Sequence, residues 1–135
     1  MIKVVLDTNV LISGIFWKGN YCSRIIDLWI SGKIEMISSL EIIKELGDTL
    51  TDFKIQMPEE MITEWQNKII ANTTIVEIKE KIDIVKNDPK DNKFFEAALV
   101  GKADYIISQD KKHVLSIKKY KNVKTISPEE FLRLI

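Results

Sequence analysis

Only one cysteine and one histidine occur among the 135 residues, and each scarcity closes a route of chemistry. Cys22 has no second thiol for an intramolecular disulfide and no CxxC partner with which to hold zinc, so it reads as a buried small hydrophobe. His113 lies in a lysine-rich segment with no marked partner. A Ser-His-Asp arrangement or any histidine-based acid–base pair would rest on that one residue, and a structural or surface role is expected. No GxxxxGK[ST] or GxGxxG run is present, which argues against nucleoside triphosphate or dinucleotide binding. No apolar stretch approaches the roughly 20 residues that span a bilayer. The opening MIKVVLDTNV places an acid where a signal peptide would extend its apolar core. A soluble, cytoplasmic protein with no membrane partner is expected. Glycine and proline are few, at 5 and 3, which sets the chain apart from fibrous and disordered classes.

Excess charge of either sign is also missing, since 20 basic and 20 acidic residues cancel. High affinity for a long nucleic-acid duplex is therefore not expected. Lysines gather in the C-terminal half, Lys90, Lys93, Lys111 and Lys112 among them, and are read as solvated surface positions.

What is present is a chain that is 45% hydrophobic, of a size that buries one core, so a single domain over 1–135 is expected. IKVVL is a short β-branched run that ends abruptly in Asp7-Thr8-Asn9, which suits a strand buried on both faces. VLISGIF reads as a short helix and YCSRIIDLWISG as an amphipathic one, with Ile25, Ile26, Leu28 and Trp29 at helical spacing and Gly32 as its stop. IEMIS is a second strand. Ser38 or Ser39 can cap the helix LEIIKELGDTL, which carries Glu41 and Glu45 four residues apart. A helix from Pro58 to Asn72 is followed by TTIVEI as a strand. Asp91 opens the helix DNKFFEAALVG, with Phe94, Phe95, Ala98 and Leu99 inward and Gly101 at its end. ADYIIS is a strand running into Gln109-Asp110, and NVKTI is the last. Ser127-Pro128-Glu129-Glu130 is a capping box for the terminal helix.

Strands alternating with helices indicate an α/β fold, a three-layer sandwich with a mainly parallel central sheet flanked by helices. In open parallel sheets the site lies beyond the carboxyl ends of the strands. Asp7 and Asp110 follow strands, while Glu45 and Asp91 sit near helix N-termini, so four acids distant in sequence can converge on one edge. Carboxylates crowded at the mouth of apolar strands are costly to desolvate and repel one another. A hard divalent cation bound by oxygen, Mg2+ or Mn2+, is the simplest remedy, and it supplies the chemistry for phosphodiester hydrolysis. The tryptophans Trp17, Trp29 and Trp65 read as core or interface, with Trp17 in a loop near the site.

VVLDTNVLIS, SSLEIIKEL, DPKDNKFFEAALVGKADYIISQDKKHVL and ISPEEFL, in that order and over nearly the whole chain, resemble the PIN domain, and within it the toxin components of toxin–antitoxin systems. The resemblance implies a metal-dependent endoribonuclease directed at single-stranded RNA, leaving the phosphate on the 5′ side of the product. It places the catalytic and metal-binding acids at Asp7, Glu45, Asp91 and Asp110, with Asn9 and Ser108 as supporting polar residues behind them. Asp88 and Glu41 are weaker candidates, read as a loop acid and a solvated helix acid, and Asp104 begins a strand. Gln109 departs from the small residue usual before the last aspartate. A small antitoxin protein, inserting a segment into the acidic groove, is the implied partner. Homodimerisation is plausible through the apolar residues around Tyr21 to Trp29. The competing readings are a non-catalytic RNA- or protein-binding module of the same fold, against which all four acids speak, and a phosphatase of the haloacid-dehalogenase kind. The latter wants a second acid where Asn9 stands.

Overall fold

In the computed structural model of the chain, residues 1–52, 57–86 and 88–135 are described. The opening apolar run forms β1 (Lys3–Leu6). Asp7 follows as the N-cap of α1 (Thr8–Phe16), with extended backbone and a carboxylate that accepts the Asn9 N–H. Asn20 caps α2 (Tyr21–Ile30) by accepting the Ser23 N–H at 2.8 Å. Gly32 ends that helix as expected, at φ +78°. Its N–H reaches Trp29 O at 3.0 Å and the Lys33 N–H reaches Leu28 O at 2.9 Å, the two bonds of a Schellman motif. Strand β2 (Glu35–Ser38) runs into α3 (Leu40–Asp52), and Ser39 takes the capping role, its Oγ accepting the Ile42 N–H at 3.4 Å.

Helix α4 (Glu59–Asn72) leads directly into β3 (Thr73–Ile75), which is shorter than the expected TTIVEI. Beyond Val76, whose N–H still bonds Ser38 O, the backbone finds its partners on a helix. Asn92 Oδ1 accepts from Ile84 at 3.0 Å and Val85 at 2.8 Å, and Glu96 Oε2 accepts from Ile82 at 3.0 Å. A 3-10 turn over Pro89–Asp91 precedes that helix, α5 (Asn92–Gly101), and β4 (Tyr105–Ile107) follows. The chain closes with β5 (Lys119–Tyr120), β6 (Val123–Ile126) and α6 (Pro128–Leu134), whose cap Ser127 accepts the Glu130 N–H at 3.2 Å. Strand β5 is not foreseen in the sequence: the turn to β6 has no Asn-Gly or Asp-Gly signature, and Lys121 takes the left-handed position at φ +53°. The end of α5 also differs from expectation. Lys102, not glycine, adopts the left-handed cap at φ +55°, while Gly101 stays helical and serves close packing, since a Cβ there would lie 2.4 Å from Ile37 Cγ2.

The strand order is β3-β2-β1-β4-β6-β5, parallel except for the β5–β6 pair. Side chains alternate across it. Val4, Leu6, Met36 and Ile107 join the apolar layer that includes Val10 and Leu11 of α1, Ile25 and Trp29 of α2, and Phe131 of α6. Val5, Ile37 and Ile106 face Phe94, Phe95, Ala97 and Ala98 of α5. The result is the three-layer α/β sandwich. Cys22 is buried, and Trp29 is buried with its indole N–H on Asn72 O at 2.7 Å. The apolar stripe of α2 belongs to this core, leaving Tyr21 and Ile30 exposed. Trp17 is not beside the candidate site. It closes α1 at the end remote from Asp7, roughly 15 Å away along the helix axis. Among the described residues, no helix is long and apolar enough to cross a membrane.

Candidate active site

From β1 the chain proceeds to β2 and β3 on one side, and from β4 to β6 on the other, so β1 and β4 flank the point at which the winding reverses. A crevice opens there beyond their carboxyl ends. Asp7 ends β1 on that edge, and Ser108 ends β4. Their strands are in register, Leu6 beside Ile107, and the Asp7 N–H continues the ladder to Ile107 O at 3.0 Å. Ser108 Oγ then donates to Asp7 Oδ2 at 2.6 Å, and the Asn9 N–H reaches Asp7 Oδ1 at 3.2 Å. The support expected from Asn9 thus comes through its backbone, while its side chain is exposed. Asp7 is 5% exposed. Burial raises its pKa above the usual carboxylate value, and the charges of Glu45 and Asp110 add to this, against the opposing bonds from Ser108 and Asn9.

Asp110 is held by the turn that follows it. Its N–H bonds Ser108 Oγ at 3.0 Å, its Oδ1 accepts from the N–H groups of Lys112 at 3.1 Å and His113 at 2.9 Å, and its Oδ2 lies 3.3 Å from His113 Nδ1. Gln109 points to the exposed side and leaves Asp110 lining the cavity. Asp91 occupies the cap position of α5, yet its side chain makes no capping bond, so its oxygens remain available to the crevice. Burial, then the charges of Asp7, Asp88 and Asp110, push its pKa up to about 6, with Lys93 opposing.

Glu45 enters from α3 on the opposite wall. The Thr8 hydroxyl donates to its Oε2 and Lys93 Nζ to its Oε1, the latter at 2.9 Å. Lys93 is a correction to the sequence reading: it is 5% exposed and paired, not solvated. Its signal was that it is the first cation after Asp91 in a helix whose residues Asn92 to Ala98 are otherwise small, apolar or committed to hydrogen bonds. His113 is a second correction, since Asp110 is its partner. Asp88, read as a loop acid, lines the same cavity, and ligand atoms of Asp88, Asp91 and His113 lie within 4.8 Å of one another. Glu41 stays outside, exposed and paired with Lys81 at 3.3 Å. Asp104 stands at the opposite edge of the sheet, accepting the Lys3 N–H at 2.9 Å.

The cavity has a volume of about 200 Å³ and is lined by Asp7, Thr8, Asn9, Glu45, Thr49, Asp88, Lys90, Asp91, Phe94 and Asp110. A larger one of about 680 Å³ lies between α2 and α6, walled by Ile2, Leu28, Ile34, Leu132 and Ile135, away from the carboxylates. The smaller, polar one gathers the carboxylates. Five carboxylates line it against Lys90 at the rim and Lys93 behind Glu45, and Asp91 shows the resulting repulsion. Hard oxygen donors in this density suit Mg2+ or Mn2+, and the space admits an ion with several waters at about 30 Å³ each. The residues present fit such an ion: among the described residues the donors within 4.8 Å of one another are Asp88, Asp91 and His113, and Asp7, Glu45 and Asp110 line the same cavity around them.

A family model described as PIN domain matches residues 3–112, a span that runs from β1 past Asp110. An uncharacterized protein of Methanocaldococcus jannaschii is 30% identical over 141 aligned residues, covering 97% of this chain and 90% of that protein. Among solved structures, VapBC2 from Rickettsia felis, bound to a DNA fragment from its promoter, superposes with a TM-score of 0.63 at 13% identity, over 93% of this chain and 98% of that one. VapBC-1 from nontypeable Haemophilus influenzae gives 0.60 at 12%, over 96% and 99%. FitAB bound to an IR36 DNA fragment gives 0.59 at 12%, over 93% and 94%. At these identities the likenesses to solved structures bear on the fold alone.

Proposed function

This chain belongs to the PIN-domain family, and we propose that it is an Mg2+- or Mn2+-dependent endoribonuclease that hydrolyses single-stranded RNA, serving as the toxin of a toxin–antitoxin pair. The observation that carries this reading is the convergence of Asp7, Asp91 and Asp110, with Glu45 across the cavity, on the carboxyl edge of the sheet. Asp91, without a capping bond and pushed up to about 6 by burial and its acidic neighbours, is a carboxylate short of a cation.

Asp7, Asp91 and Asp110 would hold the divalent ion, with the charge of Glu45 beside them in the same cavity. When bound, the ion supplies Lewis acidity toward a phosphodiester and lowers the pKa of an attacking water. The chain's own part is to fix the donors. Ser108 and the Asn9 N–H orient Asp7, the turn after Asp110 orients that side chain, and Thr8 and Lys93 orient Glu45. Lys90, at the rim of the cavity, offers a point charge to a phosphate oxygen of the RNA. A zero net charge limits the number of phosphates neutralised, which favours short contacts with unpaired strands and a shallow salt dependence. The partner that restrains a nuclease of this design is a small antitoxin protein with a basic residue to place among the carboxylates.

The test is incubation of the purified protein with an end-labelled single-stranded RNA pool in Mn2+ or Mg2+, in EDTA, and in EDTA with Mn2+ restored, beside a duplex of one matching sequence. Cleavage of the single strand that EDTA stops and Mn2+ restores, leaving 5′-phosphate ends, is the expected result. Cleavage indifferent to EDTA removes the metal-dependent mechanism. Retention of RNA without cleavage under every condition supports the non-catalytic binding module in its place.

A further inference from the structure

Lys93 is a charged side chain buried at the wall of an acidic cavity, and its partners are all accounted for. One N–H goes to Glu45 Oε1 at 2.9 Å, another to the Lys90 carbonyl at 2.6 Å, and the ammonium sits 4.8 Å from the centre of the Phe94 ring. Glu45 is equally committed, because its second oxygen accepts the Thr8 hydroxyl. Both oxygens of Glu45 therefore face donors of the chain itself. Asp91 differs, with no capping bond on its side chain.

The pair also ties the cavity together. Glu45 belongs to α3, Thr8 to the first turn of α1, and the Lys90 carbonyl to the turn that presents Asp88 and Asp91, so the Lys93–Glu45 pair links three of the segments that line the cavity, the ammonium bonding two of them and Glu45 carrying the link to Thr8. A buried charge of this kind costs more than a well-packed apolar residue unless it is paired, and removing one partner strands the other.

Resting on the nuclease reading above, we propose that Lys93 is a positioning residue: its ammonium holds Glu45 as a fixed counter-charge outside direct contact with the divalent ion, leaving Asp7, Asp91 and Asp110 as the direct carboxylate ligands. Lys93 thereby keeps the cavity one negative charge below what its acids alone would give, which limits how tightly the ion is held while Glu45 stays in place.

Calorimetric titration of the metal-free protein with Mn2+ alone tests this in four forms: the parent, Lys93→Met, Lys93→Arg and the double variant Glu45→Gln, Lys93→Met. Lys93→Met is expected to bind Mn2+ about fivefold or more tightly, since an unscreened carboxylate joins the cavity, while its kcat on single-stranded RNA falls. Lys93→Arg, which keeps the charge, returns the affinity toward the parent's. The double variant removes one charge of each sign and is expected to stay within about threefold of the parent. Should Lys93→Met fail to fold, the double variant decides alone, because loss of both charges leaves neither stranded. A loss of Mn2+ affinity of about tenfold or more in the double variant overturns the proposal by making Glu45 a direct ligand. Unchanged affinity in Lys93→Met, with only a lower Tm, also overturns it. No Mn2+ binding by the parent overturns the metal site itself and the nuclease reading with it.

Discussion

Ser108 Oγ donates to Asp7 Oδ2 at 2.6 Å, joining the ends of two adjacent strands across a separation of 101 residues in sequence. It is the side-chain bond that holds the buried carboxylate down against desolvation. Ser108→Ala is expected to raise the Asp7 pKa further, weaken Mn2+ binding about tenfold, and cost about 1.5–3 kcal/mol of stability as a bond to a charged group. Calorimetric titration and thermal unfolding of the same sample check both effects.

The pH dependence of the metal-free protein follows from Asp91, whose pKa goes from 3.8 to about 6 on folding. A raised value means that the folded chain binds this proton more tightly than the unfolded chain does. Folding is therefore opposed increasingly as pH climbs through the unfolded value, and the penalty is complete above the folded one. Asp7 is shifted in the same direction. In EDTA, Tm should be higher near pH 5 than near pH 7.5, and Mn2+ should remove that difference by replacing the proton. A Tm that falls on acidification across this window would contradict the crowding of charge in the cavity.

All four acids were legible as candidates because their positions follow from the chain's alternation of strand and helix, Glu45 lying one turn into the helix after β2. Asp7 and Asp110 stand where apolar strands stop, and Asp91 stands where an apolar helix starts. Parallel sheets put those places on one edge. Lys93, His113 and Asp88 were not legible in the same way, since their burial depends on packing between segments far apart: Lys93 on α3 being 48 residues away yet adjacent, His113 on the turn that folds back onto Asp110. Strand β5 escaped because its turn relies on a lysine in the left-handed region. Trp17 was misplaced because the helix beginning at Asp7 carries it away from the site.

The end of α5 separates two roles that the sequence combined in one glycine. Gly101→Ala places a Cβ 2.4 Å from Ile37 Cγ2 and is expected to destabilise the fold by about 1–3 kcal/mol through overpacking. Lys102→Gly relieves a left-handed residue at φ +55° and should stabilise by about 1 kcal/mol. Denaturant midpoints of the two variants, moving in opposite directions, are the check.

Asn92 takes the place of a neighbouring strand for the segment before the site, accepting the N–H groups of Ile84 and Val85. Asn92→Ala leaves both donors without that acceptor and is expected to cost about 2–4 kcal/mol. Hydrogen exchange at these two amides should accelerate more than exchange in β1 or β4. Uniform acceleration across the sheet would show that the bonds carry only global stability.

The convergence of Asp7 and Asp91 is tested most directly by the rate of single-stranded RNA cleavage in Mn2+, measured for the parent and for Asp7→Asn, Asp91→Asn purified side by side. The double variant keeps the fold's shape while removing two of the negative charges around the ion. Cleavage by the parent with a loss of at least about a hundredfold in the variant is expected. Equal rates in the two proteins would show that the activity arises elsewhere, and would contradict the placement of the active site on the carboxyl edge of β1 and β4.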